Sequence, residues 1–181
     1  MRTIHHETIL PTTAERMWPA MLSPATFLYV CKGLFGVPAL AGRAESFHEG
    51  ERGTAWLFAF HIVPAYRHTI EVVDIDAATH TVRTREHGGF LRAWNHTLHV
   101  EAIDDTSCRY TDTVEIDAGT ATAVVAPVAD GIFRYRQRRW RKLVRQHLRP
   151  EGTAYAPPGL SCAEQSLSIS ATQRSVRGAS H

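Results

Sequence analysis

Five strand-like runs crowd into residues 54–117, with no connection between them long enough to carry the chain across a sheet, and this limits the fold more than any other feature. TAWLFAFHIV (54–63) is almost wholly apolar, RHTIEVVDID (67–76) alternates, and HTVRTRE (80–86) alternates more weakly. RAWNHTLHVEAI (92–103) and SCRYTDTVEID (107–117) complete the set. The connections are VPAY, a bend over Asp76–Thr79, HGGF and DDTS. Parallel neighbours need crossovers of about a dozen residues or more. Short loops therefore dictate consecutive antiparallel hairpins, a meander.

Helices flank this meander. Thr3–Leu10 reads as a first strand, followed by Pro11 and a Thr13 N-cap before AERMWPAML, a helix that Pro19 limits. Ser23 at the N-cap and Pro24 at the first position start a second short helix. Gly33–Gly42 reads as a loop. After Gly119, the run Thr120–Arg149 has one proline, Pro127, and one glycine, Gly131. Its length and composition predict a long helix from about residue 128, with Pro127 dividing it from any earlier turn. From Pro150 the chain is rich in Ser, Ala, Gly and Pro without periodicity. We therefore expect a domain over 1–149 and a flexible Ser/Ala-rich tail over 150–181. The fold class is α+β: an antiparallel sheet wrapped around a long C-terminal helix, with two short helices after the first strand. One helix cannot cover the whole concave face of such a sheet, so the shape encloses a pocket.

Composition removes several function classes. A chain of 181 residues with 44% hydrophobic content suits one domain, and a net charge of +2 implies no global field for nucleic acid or membrane. Cys31, Cys108 and Cys162 are odd in number and far apart, without C-x-x-C spacing, which disfavours a disulfide framework or metal site. Reduced thiols, an N-terminus without an apolar leader and the absence of any run of roughly 18 apolar residues lead to the expectation of a cytoplasmic protein, monomer or homodimer. G-x-S-x-G, G-x-x-x-x-G-K, G-x-G-x-x-G and H-x-x-x-H are all missing, so no cofactor and no metal are expected.

Alternation then selects candidate site residues. On the 92–103 run, Trp94, His96, Leu98 and Val100 share one face; on the last run, Cys108, Tyr110, Asp112, Val114 and Ile116 do. An imidazole and a carboxylate on one buried face point to acid–base chemistry, or to a core histidine and an anchored aspartate, the anchor being for example an arginine of the C-terminal helix. If the DDTS turn sets Asp104 opposite Cys108, His96 falls opposite Ile116 and Asp112 opposite Val100. They then lie roughly 13 Å apart, too far for a direct bond unless a bulge shifts the pairing. Across HGGF, one register puts Thr84 opposite His96 and Glu86 diagonal to it, a gap of about 7 Å that side chains close. The alternative register pairs Glu86 with Arg92. Glu86 is thus the preferred neighbour of His96. Tyr110 is either a packed aromatic or a hydroxyl at the cavity. Trp56, Phe58 and Phe60 form an aromatic row that is either core or pocket wall. Seven arginines and Lys142 lie between residues 134 and 149 without an acid. Phe133, Trp140, Leu143, Val144 and Leu148 give this helix an apolar side, so its basic side reads as a solvated face and nucleic acid is disfavoured.

TTAERMWPAMLSP after the first strand, EHGGFLRAWNHTL, CRYTDTVEI and IFRYRQRRWRKL together resemble the helix-grip (SRPBCC) superfamily of START and Bet v 1-like proteins, over about residues 1–148. The chain is similar to its bacterial cyclase-like members. The resemblance implies an apolar, cyclic or polyketide-like ligand between sheet and helix, held against Trp56, Phe58, Phe60, Trp94 and Leu98. For an enzyme it implies polyketide cyclisation or dehydration without a cofactor. His96 would move a proton, Glu86 or Asp112 would orient it, and Tyr110 would hydrogen-bond a carbonyl oxygen. A non-catalytic carrier or sensor of a lipid-like ligand is the competing class, and a nucleic-acid or partner module on the arginine helix the third.

Overall fold

A computed structural model describes residues 1–148; Arg149 and the expected tail at 150–181, with Cys162, lie outside the described residues. The chain runs β1 (Arg2–Leu10), α1 (Ala14–Met21), α2 (Pro24–Cys31), β2 (Phe35–Gly36), β3 (Arg52–Ala59), β4 (Val63–Asp76), β5 (Thr81–Gly88), β6 (Ala93–Asp104), β7 (Ser107–Asp117) and α3 (Thr122–His147). The strands form one antiparallel sheet in the order β1-β7-β6-β5-β4-β3-β2. The meander is intact, and β1 closes one side by pairing with β7. α3 lies across the concave face, packed on β1, β7 and α2. This is the helix-grip architecture.

Local chemistry sets the boundaries. The Thr13 side chain accepts from Arg16 N and that of Ser23 from Thr26 N, so α1 and α2 start where their caps predict. Pro19 does not limit α1, which continues to Met21, and α3 begins at Thr122 rather than 128, with Pro127 inside it. Each proline sits in the second turn of its helix and removes one backbone bond to the residue four back, a loss the packed face of the helix absorbs. Gly119 (φ 59°) makes the turn into α3, where Thr122 Oγ1 donates to Gly119 O and accepts from Ala118 N.

Two turns differ from expectation. VPAY is strand rather than loop: β4 starts at Val63, and the chain reverses at Phe60 and His61, both with positive φ (51° and 68°). His61 Nε2 accepts from Gly33 N at 2.9 Å, holding a conformation neither residue favours alone. At the other hairpin, Asp104 pairs with Ser107, and a shift between Ala102 and Asp104 leaves Ile103 bulged and 43% exposed. Asp104 Oδ1 accepts from Thr106 N and Oγ1, tightening that turn. Beyond the bulge His96 opposes Val114, and Leu98 opposes Asp112. The β5–β6 ladder has the expected Thr84–His96 pair but ends there, so residues 85–88 continue along β4 without β6. Gly88 is required at this point: a Cβ would stand 2.3 Å from Arg67 O.

Candidate functional site

Between α3 and the sheet lies a cavity of two lobes, about 240 and about 280 Å3. They meet at a waist bordered by Phe27, Leu57, Ile70, His68, Glu86, His96 and Arg136. One lobe runs toward Tyr66, Trp94 and Phe133, the other toward Phe47, Val82 and Leu98. The walls are apolar and the polar groups gather at the waist, the usual pattern of a small-molecule site. A shallower hollow of about 560 Å3 between β1 and the start of α3 touches none of these groups.

The bulge decides the central contact. With Asp112 opposite Leu98, His96 is diagonal to it, and Nε2 of His96 bonds Asp112 Oδ1 at 2.7 Å. The sequence expectation set these two residues too far apart unless a bulge shifted the pairing, and it does: the tighter Asp104–Ser107 turn and the bulge at Ile103 each move the register by one residue. Tyr110 OH donates to the same oxygen at 2.9 Å and Gln137 Nε2 to Oδ2 at 2.8 Å; Arg136 Nη2 lies 4.0 Å away. Burial pushes the Asp112 carboxyl up, but the Arg136 charge and the bonds from His96 and Tyr110 outweigh it, holding it below the ordinary aspartate value. A carboxylate that takes these donors has no proton of its own, so His96 donates through Nε2.

Glu86 faces the waist but hydrogen-bonds a histidine that sequence reasoning left unassigned. His68 Nε2 lies 2.8 Å from Glu86 Oε2, and Thr84 Oγ1 donates to Oε1 at 2.6 Å. His96 acts on Glu86 through its charge and not through a bond. The expected Glu86–His96 contact is thus replaced by Glu86–His68, because both lie on the paired strands β4 and β5, with His68 opposite Gly88 and Glu86 opposite Ile70. Burial raises Glu86, and the His68 bond with the charge of His96 more than reverses this, so its pKa is lowered. The signal for His68 was its place in the alternation of 67–76, two residues before Ile70.

Trp94 and Leu98 border the cavity, one in each lobe, and Trp94 packs on Phe133 at 6.0 Å between ring centroids. Tyr110 and Asp112 lie behind the wall, buried against α3, and the Tyr110 hydroxyl is committed to Asp112 rather than facing the cavity. The aromatic row is also corrected: Ala55, Leu57 and Ala59 face the cavity, whereas Trp56 and Phe60 are 50% and 71% exposed and Phe58 is off the wall. Small side chains inside are what leave room for a cavity.

The sequence offered an arginine of the C-terminal helix as an anchor for Asp112 without saying which, and Arg136 is the one that lies 4.0 Å from that carboxylate. It is 5% exposed, with its guanidinium over the Phe133 ring at 4.9 Å. Its position in the stripe Ala129–Phe133–Arg136–Trp140–Leu143 could have shown this, since these residues follow one helical face. Burial opposes its charge, but Asp112 outweighs burial and keeps it protonated. Of the other arginines, Arg134 is exposed and pairs with Asp130, whereas Arg139 is half-buried, stacking on Tyr29 and donating to its backbone oxygen. Burial raises the thiols of Cys31 and Cys108 to about 11. Among the described residues no group of three His, Cys, Asp or Glu is arranged to hold a metal ion, and no helix is long and apolar enough to cross a membrane.

Comparison with known proteins agrees on the architecture. The chain is similar to norcoclaurine synthase from Thalictrum flavum in complex with dopamine and hydroxybenzaldehyde, at 16% identity over 81% of this chain and 87% of that one, with a TM-score of 0.59. It is similar to the Zhui aromatase/cyclase from Streptomyces sp. R1128, at 10% identity over 84% and 99%, TM-score 0.60. It is also similar to protein CV1439 from Chromobacterium violaceum, at 12% identity over 79% and 97%, TM-score 0.61. At these identities the shared property is the helix-grip fold. No curated protein sequence matches the chain. A family model described as "Domain of unknown function (DUF8410)" matches residues 37–145, from the turn after β2 into the last turn of α3 and more than half of the sequence. The chain therefore belongs to the DUF8410 family.

Proposed function

We propose that this protein binds a small, mainly apolar molecule in the cavity between sheet and α3, and that it transfers a proton on that molecule in a cyclisation or dehydration of the polyketide-cyclase type. The observation that carries this reading is His96: its ring borders both lobes while a buried carboxylate fixes it from behind at 2.7 Å. Asp112 orients the ring and balances the charge formed when Nδ1 takes a proton, and Arg136 stands beside the waist where negative charge would develop on a ligand oxygen. Glu86 and Tyr110 do not act on the ligand directly in this scheme, because their polar atoms already serve His68, Thr84 and Asp112. Trp94, Leu98 and Leu57 shape the apolar lobes.

A carrier of a lipid-like molecule is the second reading. In its favour, His96 is the one expected catalytic group with a ring nitrogen left over for a ligand. Native mass spectrometry of protein purified from its source, followed by incubation, separates the two. An enzyme releases a product lighter by one water or isomeric with the ligand, and His96→Gln retains the ligand unchanged. Unaltered ligand from both proteins would establish the carrier and defeat the proton-transfer reading.

A further inference from the structure

The hairpin turns at the two ends of the sheet are built from different chemistry. At one end the β4–β5 and β6–β7 turns are polar. Asp76 Oδ1 accepts from Ala78 N and Thr79 N, and Asp104 Oδ1 from Thr106 N, as turns in water commonly do. At the other end the β3–β4 turn reads Phe60-His61-Ile62-Val63-Pro64 and the β5–β6 turn Gly89-Phe90-Leu91-Arg92. Here Phe60 is 71% exposed, Ile62 78%, Val63 53% and Phe90 63%. The two turns adjoin: a Cβ on Gly89 would stand 3.2 Å from the ring of Tyr66, which follows Val63 on β4. Single exposed apolar side chains are ordinary, but four on neighbouring turns form a patch.

Charge says what such a patch meets. The bond from Gly33 N to His61 brings Lys32 to the first turn, Arg67 follows Tyr66 on β4, and Arg92 ends the second turn. All three are exposed, and none is ion-paired among the described residues. No Asp or Glu occurs in residues 16–44, 52–70 or 87–100, the stretches that carry both turns and the α2–β2 connection. Of the acids on adjoining elements, Asp117 accepts from Gly119 N, and Asp130 is held by His6 and Arg134. The net charge of +2 gives the chain no overall field, yet its apolar end is bordered by cations. A second copy docked on this face would set the same cations against one another. An anionic bilayer fits it: apolar side chains sink toward the acyl chains while Lys and Arg stay among the headgroups.

We propose that this end of the sheet is a peripheral docking surface for an anionic lipid bilayer, with Phe60, Ile62, Val63 and Phe90 inserted and Lys32, Arg67 and Arg92 at the headgroups. The lobe bounded by Ala59, Ala65, Tyr66 and Trp94 reaches the surface here, since Ala65 is exposed. The docked face is therefore also the one at which that lobe meets its surroundings. The docking surface stands on the two turns and their charges, whatever the cavity holds.

Co-sedimentation of the full chain with vesicles tests it, using phosphatidylcholine alone and an equal mixture of phosphatidylcholine and phosphatidylglycerol. Binding to the mixed vesicles is expected, weakening as salt rises, with little to phosphatidylcholine alone. The double variant Phe60→Ser, Ile62→Ser should lower partitioning by about tenfold or more, and Arg67→Gln by about fivefold. These side chains are exposed, so the variants should keep the parent's urea midpoint. Ile103→Ser, which removes an exposed apolar side chain from the opposite end, should leave binding unchanged. The docking surface is overturned if the mixed vesicles capture no protein, or if phosphatidylglycerol makes no difference. It is equally overturned if the double variant binds as the parent does, or if Ile103→Ser weakens binding as much. A dimer in sedimentation velocity that the double variant dissociates would also overturn it, since a second copy would then cover the patch.

Discussion

His96–Asp112 and His68–Glu86 are the same chemical pair in two settings. Asp112 is wedged between β7 and α3, where it takes donors from another strand (His96), from its own strand (Tyr110) and from the helix (Gln137), with Arg136 nearby. Glu86 is bound only from its own hairpin region, by His68 on β4 and Thr84 on β5. The first pair therefore ties the helix to the sheet while presenting His96 to the cavity. The second is a local feature of one wall. A buried carboxylate that bridges layers contributes to the architecture, whereas one that bridges adjacent strands mainly sets a side-chain orientation.

The largest expected effect separates the two directly. Asp112→Ala leaves the Arg136 charge buried without its carboxylate and should cost about 3–5 kcal/mol of stability, measured by urea unfolding. Glu86→Ala leaves His68 and Thr84 without their acceptor but strands no guanidinium, so about 1–3 kcal/mol is expected. Equal losses would break the comparison.

Acid sharpens it next. Both carboxyls have pKa values lowered by folding from ordinary values of 3.8 for Asp112 and 4.5 for Glu86. Their stabilisation is complete above those ordinary values and is lost as pH falls through the lower folded ones. The native protein should lose stability steeply below pH 4.5, and Asp112→Asn should flatten that slope more at its acid end, and Glu86→Gln more at its upper end. Urea midpoints measured across this range check the order. The smallest effect concerns the row wrongly expected in the wall: Trp56→Ser should change stability by no more than about 0.5 kcal/mol and leave ligand occupancy untouched, whereas Leu57→Trp should empty the cavity of ligand in native mass spectra.

The fold was legible because alternation and loop length act locally. The five runs and their short connections leave only a meander, and the Thr84–His96 pair is one of the two registers the sequence left open across HGGF. The site was less legible, since one-residue events govern it. Asp104 ties a turn one residue tighter than expected with its own side chain, Ile103 is bulged beside it, and the two shifts together bring Asp112 to His96. The Phe60–His61 reversal depends on a distant donor, Gly33 N. Trp56 was misassigned because bulky apolar residues usually face inward, a rule that fails where the interior is left hollow. Arg136 was legible in principle: the helical stripe places it beside Phe133 and Trp140, but its charge suggested the solvent side.

The end of the β5–β6 ladder at Thr84–His96 gives the cavity a seam. Beyond it the β4–β5 hairpin and the β6–β7 hairpin are separate leaves of one wall, joined at the tip by the bridge between Gly88 and Leu91. Glu86 stands on one leaf and Trp94 on the other, so a spread of the seam widens the lobe between them without breaking a ladder bond elsewhere. The girth of this cavity is therefore set by how two hairpins lie against each other as well as by side-chain volume.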